Sequence, residues 1–121
     1  MAEYVPFLDE DNITRKASAT ITGGQMVYIS GDGTVAPTTG AVANWLGMAG
    51  FDAAVGDNVT IHTEDFPKAT ASGAITAGDA LETAAAGKLA KHTLGTNDYL
   101  VVGYALNTVA DGGTVRLKSI R

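Results

Sequence analysis

The 121 residues match the length of one domain, and 45% hydrophobic with 17% charged residues indicates a folded chain whose surface carries many small uncharged side chains. The net charge of −5 leaves no excess of positive charge to attract nucleic-acid phosphates, so nucleic acid is not expected as a direct partner. The lack of cysteine excludes disulfides and thiolate metal sites. No apolar run approaches the roughly 18 residues of a membrane span, and the N-terminus lacks the regions of a signal peptide, so we expect neither a membrane partner nor export.

The chain starts with an apolar cluster that is followed directly by an acidic run. Pro6 lies inside the apolar cluster and excludes a helix interior there, which favours an extended conformation. Because such a cluster is poorly suited to a solvated tail, we predict that residues 1–18 form an extended N-terminal arm that docks on another protein surface. The predicted contact residues are Tyr4, Val5, Pro6, Phe7 and Leu8, and the acidic residues beside them are Asp9, Glu10 and Asp11.

Residues 19–121 are predicted to form a single β-domain that contains an internal duplication. Its two pseudo-repeats cover about residues 19–65 and 73–121, and their apolar and glycine positions coincide. The matching segments are 21–27 with 75–81, 33–36 with 87–90, 46–49 with 102–105, and 56–61 with 112–117. A duplication of this kind predicts two structurally equivalent units.

Within each unit, apolar and polar residues alternate over short stretches separated by glycine turns, a pattern typical of half-buried strands. The predicted strands are residues 25–30, 34–36, 45–51 and 58–63 in the first unit, and residues 80–83, 88–92, 99–107 and 114–120 in the second. The turn positions shared by the repeats are Gly33, Gly56, Gly87 and Gly112, and positive φ is expected at some of them. The pattern predicts an all-β fold, a small sandwich or barrel built from the two pseudo-repeats.

The residue types that most often carry catalysis are sparse and fall in no recognisable motif. The two imidazoles, His62 and His92, lie at a strand position and a strand end, and we interpret both as solvated and not catalytic. The acidic run at residues 9–11 lacks the spaced ligands and the glycine of a calcium loop. We therefore predict a protein that is not an enzyme and that binds no cofactor and no metal.

Two alternative functions rest on other residues. Lys68 lies between the pseudo-repeats, where lipoyl and biotinyl carrier domains present their modified lysine, although Pro67 and the absence of the usual carrier context count against this alternative. A glycan-binding or receptor-binding head module would present aromatic rings beside polar groups. The candidate rings, which occupy apolar strand positions and are interpreted as core or interface, are Tyr28, Trp45, Tyr99 and Tyr104.

The aromatic content and the charge distribution both predict self-association. Three Phe, four Tyr and one Trp supply little ring area for the core of a monomer. Residues 1–65 contain nine acidic and two basic side chains, whereas residues 66–121 contain four acidic and six basic ones. A head-to-tail contact between subunits would therefore bring opposite charges together.

The chain resembles the capsid cement, or head-decoration, proteins of tailed phages over about residues 20–119. The residues that carry the resemblance are Gly24 and Val27 and the segments 66–69, 75–81, 87–89, 102–105 and 112–117. The resemblance implies a β-rich structural protein without enzymatic activity, made in the host cytoplasm and located on the outer capsid surface of the virion. Family members bridge neighbouring major capsid protein subunits, so the implied partners are that protein and further copies of this chain.

The resemblance also implies a homo-oligomer, with a trimer favoured over a dimer. A symmetric oligomer engages several equivalent capsid sites together, so weak contacts combine through avidity. The arm lies outside the resemblance, and we expect it to contact the capsid or a neighbouring subunit. Its acidic run is then expected to face capsid cations or the basic residues Arg116, Lys118 and Arg121 of a second subunit.

Overall fold

The computed structural model describes residues 12–63 and 66–120. Over these residues the chain forms nine strands and one 3₁₀ turn, at Asp98–Leu100. The strands are β1 (Asn12–Ala17), β2 (Met26–Gly31), β3 (Thr34–Pro37), β4 (Trp45–Ala49), β5 (Asn58–His62), β6 (Ala80–Thr83), β7 (Leu89–Lys91), β8 (Gly103–Ala105) and β9 (Leu117–Ser119). The predicted all-β fold is confirmed. No helix among these residues has the length and hydrophobicity to cross a membrane.

Strands β1 to β5 close into a barrel in the order β1-β3-β2-β4-β5. β1 closes the barrel because it pairs on both sides. Its parallel partner is β3, with Ala17 opposite Val35, and its antiparallel partner is β5, with Asn12 opposite His62. Inward-facing apolar residues from the strands and from the loops between them exclude water from the interior. The buried residues of this core are Ala17, Ile21, Val27, Val35, Ala49, Ala53, Val59 and Ile61.

Strands β6 to β9 form a four-stranded sheet in the order β7-β6-β8-β9. The residues that precede β6 join this unit through isolated bridges and not through a continuous strand. These bridges pair Thr70 with Thr114, Ala71 with Leu89, and Ile75 with Val109. The second unit therefore has an incomplete counterpart of β1.

Some main-chain hydrogen bonds recur at equivalent positions of the two predicted repeats. The Ala17 N–H donates to the Asp57 carbonyl, and in the second unit the Ala71 N–H donates to the Gly113 carbonyl, both at 2.9 Å. The four predicted turn glycines all have positive φ, with values of 73° at Gly33, 91° at Gly56, 71° at Gly87 and 84° at Gly112. The division into two pseudo-repeats stays a prediction, and these matched hydrogen bonds and turn conformations agree with it.

The first unit also contributes side chains to the core of the second. Met26, Trp45 and Met48 belong to barrel strands but pack with the buried residues of the second unit. Trp45 meets Phe66 edge to face, with ring centroids 6.2 Å apart. Main-chain hydrogen bonds add to this contact, since the Met26 N–H donates to the Gly87 carbonyl at 2.7 Å. Apolar packing and hydrogen bonds thus join the two units.

Two predicted boundaries differ from the structure. Residues 12–17, predicted as part of the arm, form β1, in which Ala17 is the one buried residue, so the strand has no apolar alternation to reveal it. Residues 99–107, predicted as one strand, begin in the 3₁₀ turn because Asn97 adopts a left-handed φ of 53°, and only β8 pairs as a strand. The remainder of the predicted arm before Asn12 lies outside the described residues.

Candidate functional site

The loop between β7 and β8, residues 92–102, presents two large apolar side chains to solvent. Tyr99 is 67% exposed and Leu94 is 57% exposed. Tyr99 was interpreted from sequence as core or interface, and the structure shows that it is not core. Large rings and aliphatic side chains that remain exposed on a loop are characteristic of contact surfaces. We call residues 92–102 the β7–β8 loop.

His92 fixes the β7–β8 loop against strand β6. The residue is 5% exposed, and its Nδ1 lies 2.6 Å from Oε1 of Glu82 while its Nε2 lies 3.0 Å from Oδ1 of Asp98. The same Asp98 oxygen accepts the Gly95 N–H at 2.9 Å. One imidazole therefore links β6, the end of β7 and the 3₁₀ turn that carries Tyr99. A loop held in this way loses little conformational freedom when it binds a partner.

The electrostatics of this cluster favour the charged imidazole. The hydrogen bond with Glu82, and after it the one with Asp98, raises the pKa of His92 above its ordinary value of 6.5. The hydrogen bond with His92, together with the Gly95 N–H, lowers the pKa of the Asp98 carboxyl. Because carboxylates occupy both ring nitrogens, His92 has no nitrogen left to activate a nucleophile. The interpretation of His92 as solvated is wrong, because the ring is buried and held by two carboxylates.

Within residues 12–63 and 66–120, no group of three or more His, Asp or Glu side chains is arranged to hold a metal ion. Sequence reasoning placed His92 correctly at a strand end but did not find its two partners. Glu82 and Asp98 lie on separate segments, and only the fold brings them to one ring. No local spacing signals such a cluster.

A second candidate region lies where the second unit fails to close into a barrel. In the first unit β1 runs along the whole of β5, whereas the equivalent residues 66–71 of the second unit pair only at Thr70 and Ala71. Pro67 and Lys68 form a turn at this place, and a proline has no N–H to donate to a ladder. Among the described residues β9 is consequently an edge strand.

The incomplete closure leaves a cleft of about 350 Å³ beside β9. Phe66 is only 2% exposed and forms a buried part of its lining, whereas Leu106 is 63% exposed. We call this cleft the seam, and its lining residues are Phe66, Pro67, Leu106, Thr114, Arg116 and Leu117. The seam combines apolar surface with one guanidinium group.

Two of the predicted charged contact residues are exposed here, Arg116 directly before β9 and Lys118 within it. Tyr104 stands opposite Lys118, and the Leu106 N–H donates to the Arg116 carbonyl at 2.7 Å. Tyr104 is 41% exposed, so this ring also lies outside the core. The structure thus brings these two cations together beside exposed apolar groups. The other predicted contact residues lie outside the described residues, namely Tyr4, Val5, Pro6, Phe7, Leu8, Asp9, Glu10, Asp11 and Arg121.

The residues of the alternative functions have different surroundings. Lys68 is exposed, but its Cβ and carbonyl oxygen lie against Gly24 of the first unit, which differs from a lysine at the tip of a free hairpin. Trp45 is 3% exposed and belongs to the core, as interpreted from sequence. A buried ring offers no stacking face to a sugar.

Comparisons with known proteins found one matching family model and a solved structure with a similar fold. A family model described as phage cement protein matches residues 8–119. No curated protein sequence is significantly similar to the chain. Among solved structures, the N base of the head fiber gp8.5 of bacteriophage phi29 has a TM-score of 0.64 at 22% sequence identity, covering 89% of this chain and 92% of that chain. At this identity the likeness concerns the fold. The family match begins at residue 8, so it includes part of the predicted arm.

Proposed function

Since the chain belongs to the phage cement protein family, we propose that it binds the outer surface of a phage head and bridges neighbouring major capsid protein subunits. Membership supports a structural role in the phage head. The observation that carries the proposal is the family match over residues 8–119, which includes both units of the fold. The protein is then made in the host cytoplasm and functions on the virion.

The β7–β8 loop is the surface that we assign to the capsid. Tyr99 and Leu94 are more than half exposed, and burying each of them contributes roughly 1.5–3 kcal/mol at most. His92 holds the loop in place through Glu82 and Asp98, so binding orders few additional side chains. A preorganised apolar loop suits a weak contact that is repeated over a capsid.

Self-association supplies the remaining affinity for the capsid. A trimer, favoured here over a dimer, engages several equivalent capsid sites, and the effective concentration of the second and third subunits increases the overall affinity by about 10²- to 10⁴-fold. The small number of aromatic residues and the opposite charge of the two halves of the chain support association of copies. Bridging then follows from the geometry, because one oligomer binds more than one capsid subunit.

Cosedimentation with purified empty capsids tests this function. We expect the wild-type protein to pellet with capsids at a saturable ratio, and the double variant Leu94→Ser with Tyr99→Ser to bind at least about tenfold more weakly. Val55→Ser is the matched control, because Val55 is 64% exposed on a loop of the first unit. Failure of the wild type to pellet would overturn the capsid proposal. Equal binding by the double variant and the control would show that the β7–β8 loop is not the contact.

A further inference from the structure

The first unit covers a turn of the second unit. Residues 83–87, which we call the β6–β7 turn, lie against residues 38–44, the β3–β4 loop of the first unit. The Thr83 hydroxyl donates to the Gly40 carbonyl at 2.8 Å, and Thr83 and Thr38 are each 1% exposed. This contact within the chain therefore excludes water from the polar groups that it joins.

The equivalent turn of the first unit is exposed. The predicted repeat places residues 29–33, the β2–β3 turn, at the position of the β6–β7 turn, and φ is 73° at Gly33 and 71° at Gly87. Ile29 is the equivalent of Thr83 and is 48% exposed. A Cβ atom at Gly87 would lie 2.5 Å from a side chain of the first unit, whereas one at Gly33 would meet nothing within 4 Å among the described residues.

A hollow of about 280 Å³ lies beside the β2–β3 turn. The Gly33 carbonyl already accepts the Lys16 N–H of β1 at 3.2 Å, whereas the Gly87 carbonyl accepts the Met26 N–H of the other unit at 2.7 Å. A partner at the β2–β3 turn therefore meets side chains in place of that main-chain bond. The residues around the hollow include Arg15, Ile29, Gly31, Asp32, Val35 and Leu46.

The β7–β8 loop of the second unit is the counterpart of the β3–β4 loop. The Thr38 N–H and the His92 N–H donate to equivalent carbonyls, those of Met26 and Ala80, at 3.0 Å and 2.7 Å. Two residues further along each loop, the first unit has a glycine and the second unit has Leu94, which is 57% exposed. The second unit thus presents a large apolar side chain where the first unit has the glycine that meets Thr83.

Tyr99 belongs to a different part of the same loop. The repeats are offset by 54 residues at His92 and by 56 residues at Val102, so the β7–β8 loop is two residues longer than its counterpart. The 3₁₀ turn that carries Tyr99 lies in this longer stretch. Leu94 at the start of the loop and Tyr99 in the turn can therefore meet different partners, and Tyr99 is left to the capsid.

We propose that the β2–β3 turn of one copy receives Leu94 of a second copy, so that the contact that joins the two units within a chain is repeated between chains. Leu94 then packs on Ile29, and this apolar pair replaces the glycine and threonine of the contact within the chain. The inference rests on the self-association in the proposed function and names the contact that produces it. Such a contact uses two different surfaces, and copies joined head to tail close into a ring when the rotation permits.

Disulfide trapping tests this contact in the full chain, which has no cysteine of its own. The test variant combines Ile29→Cys with Leu94→Cys. The control combines Val55→Cys with Leu94→Cys, because Val55 is 64% exposed on another loop of the first unit. After mild oxidation we expect at least about tenfold more disulfide between chains in the test variant than in the control. Equal trapping in both variants, or a disulfide within one chain, would overturn the inference.

Light scattering over a range of concentrations gives a second readout that needs no engineered bond. We expect Ile29→Ser to raise the concentration at which the oligomer dissociates by at least about tenfold, and Tyr99→Ser and Val55→Ser to change it by less than about twofold. An Ile29→Ser oligomer as stable as the wild type would remove this contact and leave self-association intact. A monomeric wild type would overturn both, whereas pelleting of the wild type with empty capsids tests the capsid proposal separately.

Discussion

Gly103 and Gly47 occupy equivalent positions at which antiparallel strands leave no room for a side chain. A Cβ atom at Gly103 would overlap the Lys118 carbonyl oxygen, and one at Gly47 would overlap that of His62. We expect Gly103→Ala to lower the free energy of unfolding by roughly 1–3 kcal/mol, measured by chemical denaturation. Gly40→Ala is the control, because its Cβ would meet nothing within 4 Å, and it should change stability by less than about 0.5 kcal/mol. Equal stability of the two variants would contradict the close strand approach.

His92 makes stability depend on pH in a direction that its contacts determine. Its pKa is raised by Glu82 and Asp98, so its contribution is complete below the ordinary histidine pKa of about 6.5 and is lost as pH rises through the raised pKa. The pKa of Asp98 is lowered, so its contribution is present above its ordinary value of 3.8 and is lost as pH falls through the lowered pKa. Stability from this cluster is therefore greatest between the two limits.

Thermal unfolding of the wild type and of His92→Asn tests this dependence. Between about pH 6 and about pH 9 we expect the melting temperature of the wild type to fall more than that of the variant, because the variant lacks the titrating ring. Parallel curves for the two proteins would show that His92 does not couple the β7–β8 loop to pH.

At the scale of elements, the sequence predicted strands wherever a buried face produced alternation. β5 was found because Val59 and Ile61 are buried, with more exposed residues on either side of each. β1 was missed because its sequence is polar, and it is held in place by pairing with two neighbours. The seam was missed for a related reason, since an absent strand has no sequence signal. It becomes visible only when the two units are compared.

Two truncations separate the role of β1 from that of the segment before it. Removal of residues 1–11 leaves β1 intact, so we expect a cooperative thermal transition and native near-ultraviolet circular dichroism from buried Trp45. Removal of residues 1–17 deletes the strand that closes the barrel and should abolish both signals, because the lost pairing is large relative to a total stability of roughly 5–15 kcal/mol. Loss of the cooperative transition in the shorter truncation would show that the barrel depends on the segment before Asn12.

At the scale of the whole molecule, the duplication was predictable because glycine turns and apolar positions recur in both halves of the sequence. Arg116 and Lys118 were also predicted as contact residues, since charged residues can be identified directly from the sequence. The Glu82, His92 and Asp98 cluster was not, because it depends on contacts between segments that only the folded chain brings together. The seam likewise depends on a difference between the two units, namely the interrupted counterpart of β1 in the second unit.

We propose that this chain is a structural protein that binds the phage head and bridges major capsid protein subunits. Cryo-electron microscopy of empty capsids incubated with the purified protein tests it most directly, with untreated capsids as the reference. We predict additional density on the outer surface, at symmetry-related positions, that contacts at least two capsid subunits through the β7–β8 loop. Capsids without additional density at saturating protein, or with density confined to a single capsid subunit, would contradict the proposed bridging.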